Sequence, residues 1–186
     1  MSYFINKERW KEIERGFEFE AAMLFPSDAK RPLSFFVPDE GNAKRGSITT
    51  EIGDFSPIKV GETFKANTQQ IVMNIKPRKV VVLSSDEINK NENFEYILVA
   101  PINTIKPNQK IKDWYKQLIS DRNPIFTYLP KGNLDRYIDL SQTIGIHKSL
   151  LLKKYSYIGK ERMEILENDL LQCLSLGIID EESIEE

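Results

Sequence analysis

Arg78 and Lys79 open one apolar run of the sequence, and Asn103 and Thr104 close another. The first run is Val80-Val81-Val82-Leu83, entered from Pro77 and left through Ser84-Ser85-Asp86. The second is Tyr96-Ile97-Leu98-Val99-Ala100, which leads into Pro101-Ile102. Short runs rich in β-branched residues and bounded by turn formers read as buried strands, because branched side chains pack well on a pleated surface. If the two strands pair antiparallel across the polar loop between them, Arg78 and Thr104 come to the same end of the sheet. A guanidinium and a hydroxyl meeting at a sheet rim could bind a phosphodiester or cut one. The guanidinium is always charged and engages phosphate oxygens bidentately.

Other chemistries are poorly supplied. His147 is the single histidine, so two-histidine acid–base catalysis within one chain is excluded, as are zinc sites built from His and Cys clusters. No paired-carboxylate motif suggests a magnesium site, and no glycine-rich phosphate loop supports nucleotide binding. No metal or other cofactor is therefore expected. Cys173 is the only cysteine, set among Leu170, Leu171, Leu174 and Leu176, and reads as a buried structural thiol. No apolar run approaches the roughly 18 residues of a membrane-spanning helix. The start, Met1-Ser2-Tyr3-Phe4, lacks the basic head and apolar stretch of a signal peptide, so a cytoplasmic protein is expected. The net charge of −2 argues against a nucleic-acid binder, but the charge is uneven. From Met163 onward there is no Lys or Arg and eight acidic residues, which leaves the rest of the chain positive.

The elements that must hold these residues follow from periodicity. Trp10, Ile13, Phe17 and Ala21 lie at three- and four-residue spacing and predict an amphipathic helix over residues 6–25, ended by Pro26. Residues 27–57, rich in Pro, Gly, Asp and Ser, read as irregular with one apolar island at residues 33–37. Strands are expected at residues 60–66 and 70–74, then the two of the opening, then 125–129 and 137–140, the last continued through a bend at Gly145. Short helices are expected at residues 111–119 and 148–153. The strongest helix is residues 159–176, with Met163, Leu166, Leu170 and Leu174 on one face and Gly177 as its cap. Strands fill the middle and helices the edges, so a doubly wound parallel sheet is not expected.

From Lys59 to Leu176 the order of motifs resembles the MazF/PemK toxins of type II toxin–antitoxin systems. Lys59-Val60-Gly61-Glu62-Thr63-Phe64 is similar to the family's opening strand, and Pro77-Arg78-Lys79 with its valine run to the second. Val99-Ala100-Pro101-Ile102-Asn103-Thr104 resembles the Pro-Ile-Thr strand end. Leu140-Ser141-Gln142, Ile146-His147-Lys148 and Leu151 resemble the segment around the family's Asp-Gln and Thr-hydrophobic-Asp-Lys motif. The resemblance implies an α+β, mainly β fold: a small SH3-like, CcdB-like barrel with a C-terminal helix over residues 59–186, preceded here by a helical N-terminal extension over residues 1–58. It implies a homodimeric, metal-independent endoribonuclease acting on single-stranded RNA, with a cognate antitoxin as partner. Carried across, the catalytic positions are Arg78, Thr104 and Asn103, and the RNA-binding positions are Lys79, Gln69, Gln70 and Gln142. The sequence departs from the pattern at Lys79 (usually Pro), Asn103 (usually Thr), Ser141 (usually acidic) and Ile144 (commonly Arg). Those departures keep a second reading open, a non-catalytic module of the same fold that grips nucleic acid or a protein. Trp114, Tyr115 and Tyr128 are candidates for base stacking, or for packing under a loop. The extension is either an element packed on the barrel or a cover for the cleft, and a chain lacking residues 1–56 separates the two.

Overall fold

The computed structural model describes residues 5–25, 34–50 and 54–176. Its strands are β1 (Phe17–Phe25), β2 (Ser34–Asp39), β3 (Asn42–Thr49), β4 (Ile58–Val60), β5 (Thr63–Lys65), β6 (Gln70–Val72) and β7 (Asn74–Val82) in the first part of the chain. Helix α1 (Asp86–Lys90), β8 (Tyr96–Thr104), α2 (Asp113–Ile119), β9 (Phe126–Tyr128), β10 (Arg136–Asp139), β11 (Ile144–His147), β12 (Leu151–Tyr157) and α3 (Lys160–Cys173) follow. Contacts divide the chain into two compact units, Met1–Ala22 with Pro77–Glu186, and Met23–Lys76.

The larger unit is built on one sheet in the order β12-β1-β7-β8-β10-β9, with β11 also paired to β8. Strand β8 is its axis. It pairs antiparallel with β7 through Val80↔Pro101, Val81↔Ala100 and Val82↔Val99. It also pairs with β11 from Tyr96 to Val99 and with β10 from Ile102 to Thr104. The valines of β7 are wholly buried, as the unbroken apolar run requires of a strand covered on both faces. One face holds a core of Val81, Leu83, Ala100, Ile102, Leu129, Ile138 and Leu140, covered by Met163 and Leu166 of α3. Leu170 and Cys173 pack against its margin, so the thiol is half-buried rather than fully enclosed.

The N-terminal helix expected at residues 6–25 is not formed. A short 3-10 turn covers Lys7–Glu12, and Phe17–Phe25 is strand β1, inserted between β12 and β7. The residues Phe17-Glu18-Phe19-Glu20-Ala21 alternate with a period of two, which the helical spacing of Trp10, Ile13, Phe17 and Ala21 concealed. Gly16 breaks the two periods apart. Its φ is +75°, and a Cβ there would lie 2.5 Å from the Tyr157 ring, so only glycine fits the turn into β1. A second correction falls at residues 148–153. Lys148–Leu150 makes one 3-10 turn, after which β12 pairs with β1 through Phe17↔Tyr157, Phe19↔Lys154, Glu20↔Lys153 and Ala21↔Leu151.

Among the described residues, hydrogen-bonded pairing ends at β12 on one side and β9 on the other, so the expected SH3-like barrel is an open sheet here. The sheet is nevertheless curled. Arg136 of β10 and Glu18 of β1 have β7 and β8 between them, about 14 Å in a flat sheet. Yet their side chains meet in two hydrogen bonds of 2.9 Å.

The smaller unit holds two further sheets. The segment expected to be irregular forms the β2–β3 hairpin through a turn at Glu40-Gly41, and β6 pairs on the other side of β2. The single strand expected at residues 60–66 is instead the β4–β5 hairpin, turned at Gly61 with φ +63°. Phe35 is buried and packs on Phe55, while Val37, Ile48, Phe64, Ile71 and Val72 remain exposed. The expected cap Gly177 and the last acidic residues lie outside the described residues.

Candidate functional site

Strand alternation decides which of the expected residues share a face. The β7–β8 ladder ends at Val80↔Pro101, and its register extended by two residues would set Arg78 level with Asn103. Arg78 and Thr104 do lie at the same end of the antiparallel pair. Successive side chains point to opposite faces, however. Arg78 shares its face with Asn103, while Thr104 falls on the face of Lys79, Val81 and Ile102.

The Arg78 face continues into β10, where Tyr137 stands directly opposite Asn103. Burial and the charge of Asp139 push the Tyr137 hydroxyl above its ordinary pKa, with the Asn103 side chain opposing them. It therefore stays protonated at neutral pH. Asp139 is buried and accepts from Gln142 Nε2 at 2.7 Å and from Ser141 Oγ at 2.5 Å. Gln142 is thus held by a carboxylate beside the site. Behind Tyr137, Phe126 and Trp114 pack edge-on at 4.9 and 5.7 Å between ring centroids. The three rings fasten α2 to the β9–β10 hairpin. Tyr128 and Tyr115 donate to Asp135 at 2.6 and 3.2 Å, and Lys110 also bonds it. Burial, then Asp135, pushes the Tyr128 hydroxyl up to about 12.

The opposite face carries a buried ion pair. Arg136, opposite Thr104 in the β8–β10 ladder, is 5 % exposed and Glu18 is 2 % exposed. Both terminal nitrogens of Arg136 bond the two oxygens of Glu18. Burial pushes the Glu18 carboxyl up, but Arg136, with Lys131 and Lys79 behind it, outweighs burial and holds it below the usual glutamate value. Lys131 Nζ is 3.8 Å from the same carboxylate. Lys79 lies over the Tyr155 ring, 4.3 Å from its centroid.

Gln69 and Gln70 belong to the smaller unit, where the Gln69 amide donates to the Asp54 carbonyl at 3.1 Å and Gln70 pairs with Phe36. His147 begins the 3-10 turn, with Nδ1 accepting from the Ser149 N–H at 3.2 Å and its ring edge-on to Trp10 and Tyr96. Next to it Lys148 is wholly buried. Burial lowers its pKa, and its ammonium donates to the carbonyls of Ile88 and Asn91 at 2.8 Å. Among the described residues no three His, Cys, Asp or Glu side chains converge as a metal site would require. No described helix is long and apolar enough to cross a membrane.

Tyr137, Arg136 and Glu18 were not found from sequence. One signal was present for Arg136. It shares its face of β10 with core Ile138, and a charge facing a core needs a buried partner.

The family model described as PemK-like, MazF-like toxin of type II toxin-antitoxin system covers residues 59–174. No curated protein matches the chain. The matched stretch contains Arg78, Asn103, Thr104 and Arg136, but not Glu18.

Proposed function

The chain belongs to the PemK-like, MazF-like toxin family of type II toxin–antitoxin systems, and on that premise we propose that it is an endoribonuclease that cuts single-stranded RNA without a metal. The observation that carries this reading is the β7–β8 register at Val80↔Pro101, which, extended by two residues, would bring Arg78 and Asn103 to one face of the sheet end. The nucleophile is the 2′-hydroxyl of the RNA itself. Arg78 binds the phosphate oxygens bidentately and offsets the charge that grows on them, the kind of interaction that lowers such a barrier most. Asn103, on the same face, donates its amide to the phosphate or the leaving oxygen, and the Tyr137 hydroxyl is held beside it. Thr104, on the other face, and Lys79 bear on the neighbouring stretch of RNA, while Gln142 acts by fixing Asp139. Gln69 and Gln70, where β6 begins in the smaller unit, take part in RNA recognition.

In this reading the curled sheet is the family's barrel, opened at its last ladder. The protein acts in the cytoplasm as a homodimer and is restrained by an antitoxin. Residues 59–186 supply the toxin fold, and the segment before them is an added part whose strand β1 has become integral. Two observations favour a second reading, a non-catalytic module of the same fold. Gln142 is engaged by Asp139, and Ile144 stands where an arginine is common, which removes a cation from the site.

Purified protein incubated with a long mixed-sequence single-stranded RNA in EDTA, beside Arg78→Ala and Asn103→Ala, tests the proposal. Discrete fragments with wild type, loss of cutting with Arg78→Ala and at least a tenfold slowing with Asn103→Ala are expected. Equal cutting by Arg78→Ala would overturn the site, and intact RNA throughout would favour the binding module.

A further inference from the structure

Around the buried Glu18–Arg136 pair the protein gathers more positive charge than it neutralises. Lys79 Nζ and Lys153 Nζ lie 4.3 and 5.1 Å from the centroid of the same ring, that of Tyr155. The next residue, Ser156, accepts a hydrogen bond at its Oγ from Lys131 Nζ at 3.0 Å. These cations come from three places, β7, β12 and the turn between β9 and β10. Two carboxylates belong to the cluster. Glu18 is already held by both terminal nitrogens of Arg136, and Glu20 stands opposite Lys153 in the β1–β12 ladder. Three lysines and one arginine thus meet two glutamates. The Arg136 Nε–H, buried, has no hydrogen-bond partner. A lysine resting on an aromatic face or a hydroxyl keeps its full charge, and a partly exposed one is open to an incoming anion. Lys131 keeps 48 % of its side chain exposed, and Lys153 is exposed.

We propose that Lys79, Lys131 and Lys153, set round Tyr155 and Ser156, form a second phosphate site that grips the RNA backbone next to the phosphate held by Arg78 and Asn103. This rests on the single-stranded RNA reading above. Arg78 and Lys79 are consecutive in β7, so their side chains leave opposite faces of the strand. A strand of RNA that crosses the end of the sheet passes from one to the other. The ammonium groups act as point charges and carry no base preference, which suits a site that sets the register of the backbone rather than reading sequence. The Ser156 hydroxyl accepts from Lys131, which leaves its own hydrogen to donate to a phosphate oxygen. Glu18 holds Arg136 in place beneath the cluster, so the site depends on a strand that precedes the family stretch.

The test is binding of a fluorescent 2′-O-methyl oligoribonucleotide, which cannot be cut because its 2′-oxygen is blocked, over a series of salt concentrations. The proteins are wild type, Lys131→Gln/Lys153→Gln and, as a surface-charge control, Lys116→Gln, whose side chain is 77 % exposed on α2. Each lysine that neutralises a phosphate contributes about 0.7 to the slope of log K against log salt for a single strand. The double variant is expected to lose about 1.4 from that slope, and the control nothing measurable. An unchanged slope, or an equal loss in the control, overturns the second site. If wild type then still cuts unmodified RNA, the ribonuclease reading survives that failure. A slope that falls as expected in a protein that leaves unmodified RNA intact establishes the phosphate site and removes the cleavage reading. Absence of binding by wild type removes both.

Discussion

Removing the Glu18 carboxylate should destabilise the larger unit severely. Arg136 is 5 % exposed, its two terminal nitrogens have Glu18 as partner, and its Nε has none. Glu18→Ala would leave a buried guanidinium with no acceptor, a change that costs about 3–5 kcal/mol when one member of a buried pair is deleted. Glu18→Gln keeps the shape and one acceptor oxygen, so a loss of about 1.5–3 kcal/mol is expected, the range of a hydrogen bond to a charged group. Glu18→Leu combined with Arg136→Met removes both charges and should come within about 1 kcal/mol of wild type. Urea unfolding followed by tryptophan fluorescence reads this directly, since Trp10 and Trp114 both lie in that unit. The sign with pH is set by the depressed folded-state pKa of Glu18. Its contribution is complete above the unfolded value and is lost as pH falls through the folded one. The gap between wild type and Glu18→Gln should therefore close in acid. A loss below about 1 kcal/mol in Glu18→Ala would refute the reasoning. So would a double variant as unstable as the single, because packing rather than charge would then be responsible.

Three other outcomes are expected. Asp169 is buried, and burial raises its pKa despite the 2.6 Å bond from Thr127 Oγ1. A raised carboxyl favours folding at low pH and loses that contribution as pH rises through its folded value. Asp169→Asn should therefore gain stability relative to wild type at neutral pH and lose the gain in acid, as urea midpoints will report. Gly16→Ala places a Cβ 2.5 Å from the Tyr157 ring at a φ of +75°, so thermal unfolding should show a loss of at least about 2 kcal/mol. A chain lacking residues 1–56 loses Ile13, Glu18, Phe19 and Ala21, all wholly or nearly buried, and should be insoluble rather than a more active nuclease. A soluble truncation with increased cutting would show that the segment is a cover.

The centre of the fold was legible because it is written locally. Val80 to Leu83 are buried on both faces, Tyr96 to Ala100 bury Ile97, Val99 and Ala100, and β-branched runs bounded by turn formers have few other readings. Segment 6–25 was misread because Trp10, Ile13, Phe17 and Ala21 satisfy a helical period while Phe17, Phe19 and Ala21 satisfy a strand's. Neighbours decided between them, and those neighbours, β7 and β12, lie far along the chain. Strand β12 was hidden by Lys153-Lys154 in its middle, charges that a strand at the sheet's outer edge readily carries. At the site, Arg78 was visible as a cation at a strand start. Which of Asn103 and Thr104 shares the face of Arg78 was not visible, because one residue of register exchanges the two faces. Glu18 and Arg136 are 118 residues apart, and nothing local to either announces the other.

Strand β1 sets an order of assembly. It lies beside β7, finished by residue 82, but its other neighbour is β12, and Phe17 meets Tyr157 a further 140 positions along the chain. Contacts so distant in sequence are slow to form, since the closing loop must be ordered before it gains anything. At ribosomal speeds of about 5–20 residues per second, several seconds separate the synthesis of the two strands. Through that interval β1 emerges with a bare hydrogen-bonding edge, and Arg136 has not yet reached Glu18. The nascent chain therefore carries Arg78 and Asn103 out of the ribosome well before the sheet that holds them is complete. The larger unit is completed only once residues up to Tyr157 have been made, and a partner that captured the open edge of β1 would hold the protein in its unfinished state.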